Sequence, residues 1–72
     1  METRRDLLIF KLIEKLSDPN PTVRRNAAGA LRLHGRRALV AKPALTRLLS
    51  DPDPRVRKEA ERALERLRLA AA

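Results

Sequence analysis

The sequence predicts an all-α protein, an α-α superhelix (solenoid) of four helices that form two helical hairpins. The first observation is a phrase that occurs twice: SDPNPTVR at 17–24 returns as SDPDPRVR at 50–57, 33 residues later. A repeat of about 20 to 50 residues is typical of solenoids. The second observation is that Phe10 is the only aromatic residue and that β-branched residues are few. A core of leucine, isoleucine, valine and alanine favours closely packed helices over a sheet.

The repeat extends beyond the turn phrase into the flanking apolar positions. A shift of 33 residues superimposes Leu12, Leu16, Ala27, Ala30 and Leu31 on Leu45, Leu49, Ala60, Ala63 and Leu64. A chain of 72 residues has room for one small domain. We therefore expect a single domain over 1–72, with repeat 1 at about 3–35 and repeat 2 at about 36–70.

The first helix is predicted at about 3–17 and the second at 21–34. Proline disfavours the helical conformation of the residue before it, so the two prolines of the first phrase end helix 1 near Ser17. Asn20 is a favourable N-cap, and Pro21 suits the first helical position, where its missing N–H is not needed. Gly35 is expected to close the second helix in the left-handed conformation.

The third and fourth helices are predicted at 38–50 and 54–70. Pro43 is compatible only with the first turn of the third helix, since a proline deeper in a helix breaks it. Asp53 and Pro54 repeat the cap and first-turn signal for the fourth helix.

The segments DPNPTVRRNAAGAL, 18–31, and DPDPRVRKEAERAL, 51–64, resemble the turn and second helix of the HEAT-repeat family. Phycobilin-lyase-type bacterial HEAT repeats form one branch of that family. The resemblance covers almost the whole chain as about two repeats, and it implies a scaffold for protein–protein interaction. It also implies a structural polar ladder, in which we expect Asp18 to pair with Arg24 and Asp51 with Arg57.

The first helix carries more apolar surface than one partner helix can bury. An exposed apolar patch usually marks an interface, and we predict one that binds a protein partner or a second copy as a homo-oligomer, by a two-fold contact. The alternative is that a third helix weakened by Pro43 leaves a gap that these side chains fill. The predicted interface residues are Leu7, Leu8, Ile9, Phe10 and Ile13.

The net charge of +8 is concentrated between Asp18 and Asp51, an interval without acidic residues. Three interpretations remain open: binding of an acidic protein, sequence-nonspecific binding of nucleic-acid phosphates, or no specific binding in an arginine-rich composition that GC-rich codons produce. The candidate anion-binding residues are Arg25, Arg32, Arg36, Arg37 and Lys42.

No residue pattern indicates catalysis. The chain has no cysteine, and His34 is its only histidine, so we expect no metal, no cofactor and no small-molecule substrate. No segment has the roughly 20 apolar residues that cross a bilayer, nor an export signal, so we expect no membrane contact and a cytoplasmic location. The predicted function is a non-catalytic HEAT-like scaffold; electrostatic nucleic-acid binding is the alternative, and a piece of a longer solenoid is a third interpretation.

Overall fold

A computed structural model describes residues 3–71, and all regular secondary structure in that range is helical. Two short 3₁₀ segments, Gly35–Ala41 and Leu48–Ser50, flank the shortest α-helix. The α-helices are α1 (Thr3–Lys15), α2 (Pro21–His34), α3 (Lys42–Arg47) and α4 (Pro54–Ala71).

The prediction of four regular helices is wrong for the third one. Three helices have 13 residues or more, whereas the interval 38–50 holds 3₁₀ turns around an α3 of only six residues. Pro43 lies in the first turn of α3, where it has no N–H to donate to an earlier carbonyl. No side chain caps the N-terminus of α3 at Ala41 either. Both facts favour tighter 3₁₀ turns over one continuous α-helix.

The two copies of the proline-rich phrase adopt equivalent capped turns. The Asn20 side-chain oxygen accepts the backbone N–H of Thr22 at 2.9 Å, which caps α2. At the start of α4 the Asp53 carboxylate accepts the backbone N–H of Arg55 at 2.8 Å. The repeated sequence therefore marks repeated local structure.

Gly35 ends α2 with a φ of +59° and a ψ of −130°. The predicted positive φ is present, although this ψ lies outside the left-handed helical region. Glycine enters this conformation without the steric cost that a Cβ brings. The Gly35 N–H donates to the carbonyl of Arg32 and so turns the chain into the first 3₁₀ segment.

The core lies between two helical pairs, α1 with α2 and α3 with α4. The most extensive packing is between α2 and α4, and the 3₁₀ segment 35–41 also packs against α4 and α1. Alanine at several buried positions of α2 and α4 lets these helices approach closely. We call this contact between the two pairs the junction. The buried apolar residues are Ile9, Leu16, Ala27, Ala28, Leu31, Ala38, Ala41, Leu45, Leu48, Val56, Ala60, Ala63 and Leu67.

Candidate protein-binding face

A nearly buried ion pair joins the two helical pairs. Arg24 of α2 donates from Nε to Asp51 Oδ1 at 2.7 Å and from Nη2 to Asp51 Oδ2 at 3.1 Å. The two side chains are 13% and 4% exposed. Arg24 also donates from Nη1 to the backbone carbonyls of Asp18 and Pro19, at 2.7 and 3.0 Å. The guanidinium thus hydrogen-bonds to the proline-rich turn of its own helical pair and to Asp51 in the turn of the other pair.

This geometry corrects the predicted pairing within the polar ladder. Arg24 was expected to meet the carboxylate of Asp18, yet it contacts only the backbone carbonyl of that residue. Its carboxylate partner is Asp51, 27 positions further along the chain. Arg57 likewise contacts the backbone carbonyl of Asp51, not its carboxylate. The Arg–Asp contact therefore crosses the junction and does not stay within one copy.

The Asp51 carboxylate is held in its charged form. Burial raises the pKa of this group, but the hydrogen bond from Arg24, the backbone N–H of Asp53 and the Arg24 charge together outweigh burial. The net effect is a pKa below the ordinary aspartate value. The ion pair is therefore intact at neutral pH.

Arg57 and Asp18 occupy the equivalent positions one repeat away, and within residues 3–71 neither pairs with a side chain of opposite charge. Arg57 donates from Nη1 to the carbonyls of Asp51 and Pro52 at 2.7 and 3.3 Å, as Arg24 does in its own turn. Its Nε and Nη2 meet no acceptor within residues 3–71. The Asp18 carboxylate accepts the N–H of Asn20 at 2.8 Å and receives no arginine from the described part of the chain. The ladder thus has one complete Arg–Asp contact, which we call a rung and which Arg24 and Asp51 form. Arg57 and Asp18 are each one group of such a contact, and we call them half-rungs.

The surface around Asp18 consists of residues whose equivalents, 33 positions later, are buried or half-buried at the junction. Leu8 is 49% exposed, whereas its equivalent, Ala41, is fully buried. The same contrast holds for the half-buried Leu12 and its equivalent Leu45. A depression of about 340 Å³ opens here between α1 and α2. We call this surface the N-terminal face; it comprises Leu8, Leu12, Lys15, Asp18, Val23, Asn26 and Ala30.

The opposite end of the molecule has a different character. Three positions that are apolar in the first pair, Ile9, Ile13 and Ala28, become a lysine, a threonine and a glutamate 33 residues later. A groove of about 390 Å³ remains between α3 and α4, with leucines at its base. We call this surface the C-terminal face; it comprises Lys42, Thr46, Leu49, Arg57, Glu61, Leu64 and Glu65.

The structure divides the residues of the predicted apolar interface into two groups. Leu7, Leu8 and Phe10 are about half exposed and remain accessible. Ile9 is only 2% exposed, and Ile13 packs against the core, so these two are not available to a partner. The segment around Pro43 does not cover the exposed three, contrary to the gap-filling alternative.

Sequence reasoning did not include Leu12, Val23 or Ala30 in the apolar interface. All three are half-buried and belong to the N-terminal face. They have the helical spacing of core residues, and the sequence alone does not say that their side of the hairpin is uncovered. The burial of their equivalents at the junction supplies that information.

The predicted anion-binding residues differ in how far their charges are already paired. Arg32 donates to Glu59 at 2.9 Å across the junction, and Arg25 contacts the side-chain oxygen of Asn26 at 3.4 Å. Arg36 and Arg37 are exposed. Lys42 lies apart from these residues, in the groove of the C-terminal face.

Two arginines of α4 that sequence reasoning omitted lie near Arg32. Arg62 and Arg66 line a depression with it, but Glu61 and Glu65 line the same depression. The mixture of signs lowers the local positive potential. The charge of Arg32 is therefore partly neutralised by glutamates of α4.

Neither a metal site nor a membrane-spanning helix is found in the described range. Among residues 3–71, no three histidine, aspartate or glutamate side chains come together in a group that could hold a metal ion. Within the same range, every helix is too short or too polar to cross a membrane.

Two helical pairs stack here, and each has a capped, proline-rich turn between its two helices. Together with the Arg–Asp contact across the junction, this arrangement defines an α-solenoid built from repeats. A family model for HEAT repeats matches residues 9–72, so the chain belongs to the HEAT-repeat family. No curated protein and no solved structure matches the chain. HEAT repeats generally serve as non-catalytic scaffolds for protein interaction.

Proposed function

We propose that this chain is a non-catalytic scaffold and that a protein partner docks on its N-terminal face. One observation carries the proposal: Leu8 of this face is about half exposed and Leu12 and Val23 are half-buried, while their equivalents 33 residues later are fully buried at the junction. The proline-rich turn and the helix that follows it have the same local structure at both places, although α1 is continuous and 38–50 is broken. The difference in exposure therefore reports a helical pair that covers the second copy and is not present over the first.

The proposal treats residues 1–72 as one binding unit. Repeat 1 would comprise about 3–35 and repeat 2 about 36–70. The second repeat then packs against α2 through α4, and the first repeat presents the binding surface.

The apolar surface sets what a partner must cover. Full burial of a leucine or valine side chain contributes about 1.5–3 kcal/mol, so covering the half-exposed Leu8 contributes about 1 kcal/mol, and covering the half-buried Leu12 and Val23 contributes less than that each. Association itself costs about 4 kcal/mol or more. Leu8, Leu12 and Val23 alone do not offset that cost, and Leu7 and Phe10 on the adjoining side of α1 enlarge the surface. We therefore expect a partner that spans the length of α1.

A partner with the chemistry of a helical pair meets these requirements best. Asp18 would receive an arginine from it, because the equivalent Asp51 receives Arg24 at the junction. A second copy of this chain is one such partner, and self-association is the form of the proposal that we develop below.

Sequence-nonspecific nucleic-acid binding is a second candidate, supported by the exposed side chains of Arg36 and Arg37. The pairing of Arg32 with Glu59 weakens it. Titration with a random DNA duplex at about 50 and about 200 mM salt tests this candidate, since phosphate binding must weaken steeply with salt. Absence of binding at the lower salt would eliminate it.

Site-specific photo-cross-linking tests the main proposal. A photoreactive residue replaces Leu8 in one variant and Leu33, which is 80% exposed and lies off the N-terminal face, in the control. In the cells that produce the chain, we expect position 8 to give a discrete protein adduct and position 33 to give none. Equal adducts from both positions, or none from position 8, would contradict the proposal.

A further inference from the structure

The two half-rungs of the ladder lie at opposite ends of the molecule and are complementary in charge. Arg57 is preorganised, because its Nη1 makes the same two backbone contacts that hold Arg24. Asp18 is preorganised in the same way by the N–H of Asn20. Arg57 and the Asp18 carboxylate therefore already have the conformations that Arg24 and Asp51 have in their ion pair.

We propose that copies of this chain associate head to tail, with the C-terminal face of one copy on the N-terminal face of the next. Arg57 of the first copy then donates from Nε and Nη2 to Asp18 of the second. This contact reproduces the Arg24–Asp51 rung of the junction. The inference rests on the proposed function, since it names the occupant of the N-terminal face.

The apolar parts of the two faces match in the same register. Leu49, 40% exposed, and the half-buried Leu64 stand 33 residues after Leu16 and Leu31, which the junction buries. These leucines line the groove of the C-terminal face. In a stack of copies, Leu49 and Leu64 of one copy would pack against the leucines and the valine of the N-terminal face of the next copy. The equivalent residues pack in this way at the junction within one chain.

The polar parts of the two faces are compatible as well. The Arg32–Glu59 contact of the junction has Glu65 and Asn26 as its equivalents. Glu65 already accepts hydrogen bonds from Arg68 within α4. Each carboxylate oxygen has a second lone pair, so Glu65 is able to accept the amide NH₂ of Asn26 as well. Lys15 on the N-terminal face is opposite in sign to Glu61 and Glu65 on the C-terminal face.

This contact is heterologous, because the two surfaces that meet are different. Heterologous contacts repeat into rings or open chains, whereas a two-fold contact stops at a dimer. The C-terminal face is more polar than the equivalent surface of the first helical pair, which is buried at the junction. Contacts between copies are therefore weaker than the contacts within the junction, and association depends on protein concentration. Sedimentation should show an average mass that rises with concentration past that of a dimer.

Charge reversal at each half-rung separates head-to-tail stacking from other contacts. Arg57→Glu faces an unchanged Asp18, and Asp18→Arg faces an unchanged Arg57, so each variant alone sets like charges together. We expect both to sediment as monomers at concentrations where the original chain associates. An equimolar mixture should associate again, because every contact between unlike variants joins opposite charges.

Matched variants control for net charge and for folding. Lys58→Glu and Glu14→Arg make the same charge changes at exposed positions outside both faces, and both should associate like the original chain. Thr46→Glu adds a charge within the groove of the C-terminal face at an exposed position, which avoids the turn contacts of Arg57. It should also reduce association at least tenfold, with far-UV circular dichroism unchanged.

The outcomes distinguish this inference from the proposed function. If Arg57→Glu and Thr46→Glu associate as the original chain does, while Leu8→Glu is monomeric, head-to-tail stacking is overturned and a two-fold contact through the N-terminal face remains. If the original chain is monomeric at all concentrations but position 8 cross-links another protein, this inference fails and the proposed function stands. If no association and no cross-link occurs, both fail.

Discussion

The N-terminal face and the junction present equivalent positions of the repeat in two different surroundings. At the junction Asp51, Leu45 and Val56 are buried against the first helical pair; on the N-terminal face the equivalent Asp18 and Leu12 remain partly in water. At these positions the residue types and the local turn geometry match, so the difference lies in what covers them. In a repeat protein, the contacts of the buried copy therefore predict what the open copy binds.

This comparison predicts that the same substitution lowers the free energy of unfolding by different amounts at equivalent positions. The largest difference is expected between the two aspartates. Asp51→Ala leaves the nearly buried guanidinium of Arg24 and the N–H of Asp53 without their acceptor. Removing one partner of a buried ion pair costs about 3–5 kcal/mol, which approaches the whole free energy of unfolding of a domain this small. Asp18→Ala removes one exposed backbone hydrogen bond and should cost less than about 1 kcal/mol.

Urea denaturation of the two alanine variants, followed by circular dichroism, measures this gap. Dilute protein is needed, so that association does not add to the stability of the original chain. Equal losses for the two variants would mean that Asp18 is buried to the same degree as Asp51, and the distinction between open and covered faces would be lost.

The second-largest difference in lost stability is expected between the equivalent leucines, Leu45 and Leu12. Leu45 is fully buried, and Leu45→Ala should cost about 3 kcal/mol through lost burial and the cavity left behind. Leu12 is only partly buried, so Leu12→Ala should cost about 1 kcal/mol or less at low protein concentration. Thermal unfolding at several concentrations extends the test: a cost for Leu12→Ala that grows with concentration would indicate that a second copy covers the face.

A pH titration sharpens the comparison at the ion pair. The folded-state pKa of Asp51 is below its unfolded value, so the pair contributes stability above the unfolded pKa, near 3.9. That contribution is lost as pH falls through the folded pKa. We expect the free energy of unfolding to fall below about pH 4, and to fall less in Asp51→Asn. An acid dependence in Asp51→Asn equal to that of the original chain would contradict the assignment.

The smallest expected effect is at Gly29, in the middle of α2. A Cβ added there would lie 3.3 Å from Glu59 Oε2, at the end of a flexible side chain. Alanine in a helix interior is favoured over glycine by roughly 1 kcal/mol. We expect Gly29→Ala to raise the free energy of unfolding by less than that, with the difference lost to displacement of the Glu59–Arg32 contact. A clear decrease would mean that Glu59 is fixed more rigidly than its contacts indicate.

The duplicated phrase allowed the turns and the long helices to be predicted, because proline and N-cap chemistry act locally. The bounds of α2 were predicted correctly, and α4 differed by one residue. The break in the third helix was missed, since Pro43 suited a first helical turn and the 3₁₀ segment before it depends on packing against α1 and α4.

The candidate site was harder to predict than the fold, because it depends on how the two helical pairs stack. The Arg24–Asp51 contact spans 27 residues, and no local rule favours it over the nearer Asp18. Ile9 looked like interface because a strongly apolar α1 does not reveal which of its sides meets the second pair. Once one junction is known, the 33-residue repeat turns buried positions in one copy into predicted binding positions in the other.

Radical footprinting of leucine side chains, in the cells that produce the chain and in dilute purified protein, tests the central claim most directly. The account predicts that labelling of Leu8 and Leu12 is much lower in cells than in dilute solution, while the exposed Leu33 is labelled equally in both. Equal labelling of Leu8 in the two conditions would show that nothing covers the N-terminal face, and would contradict the account.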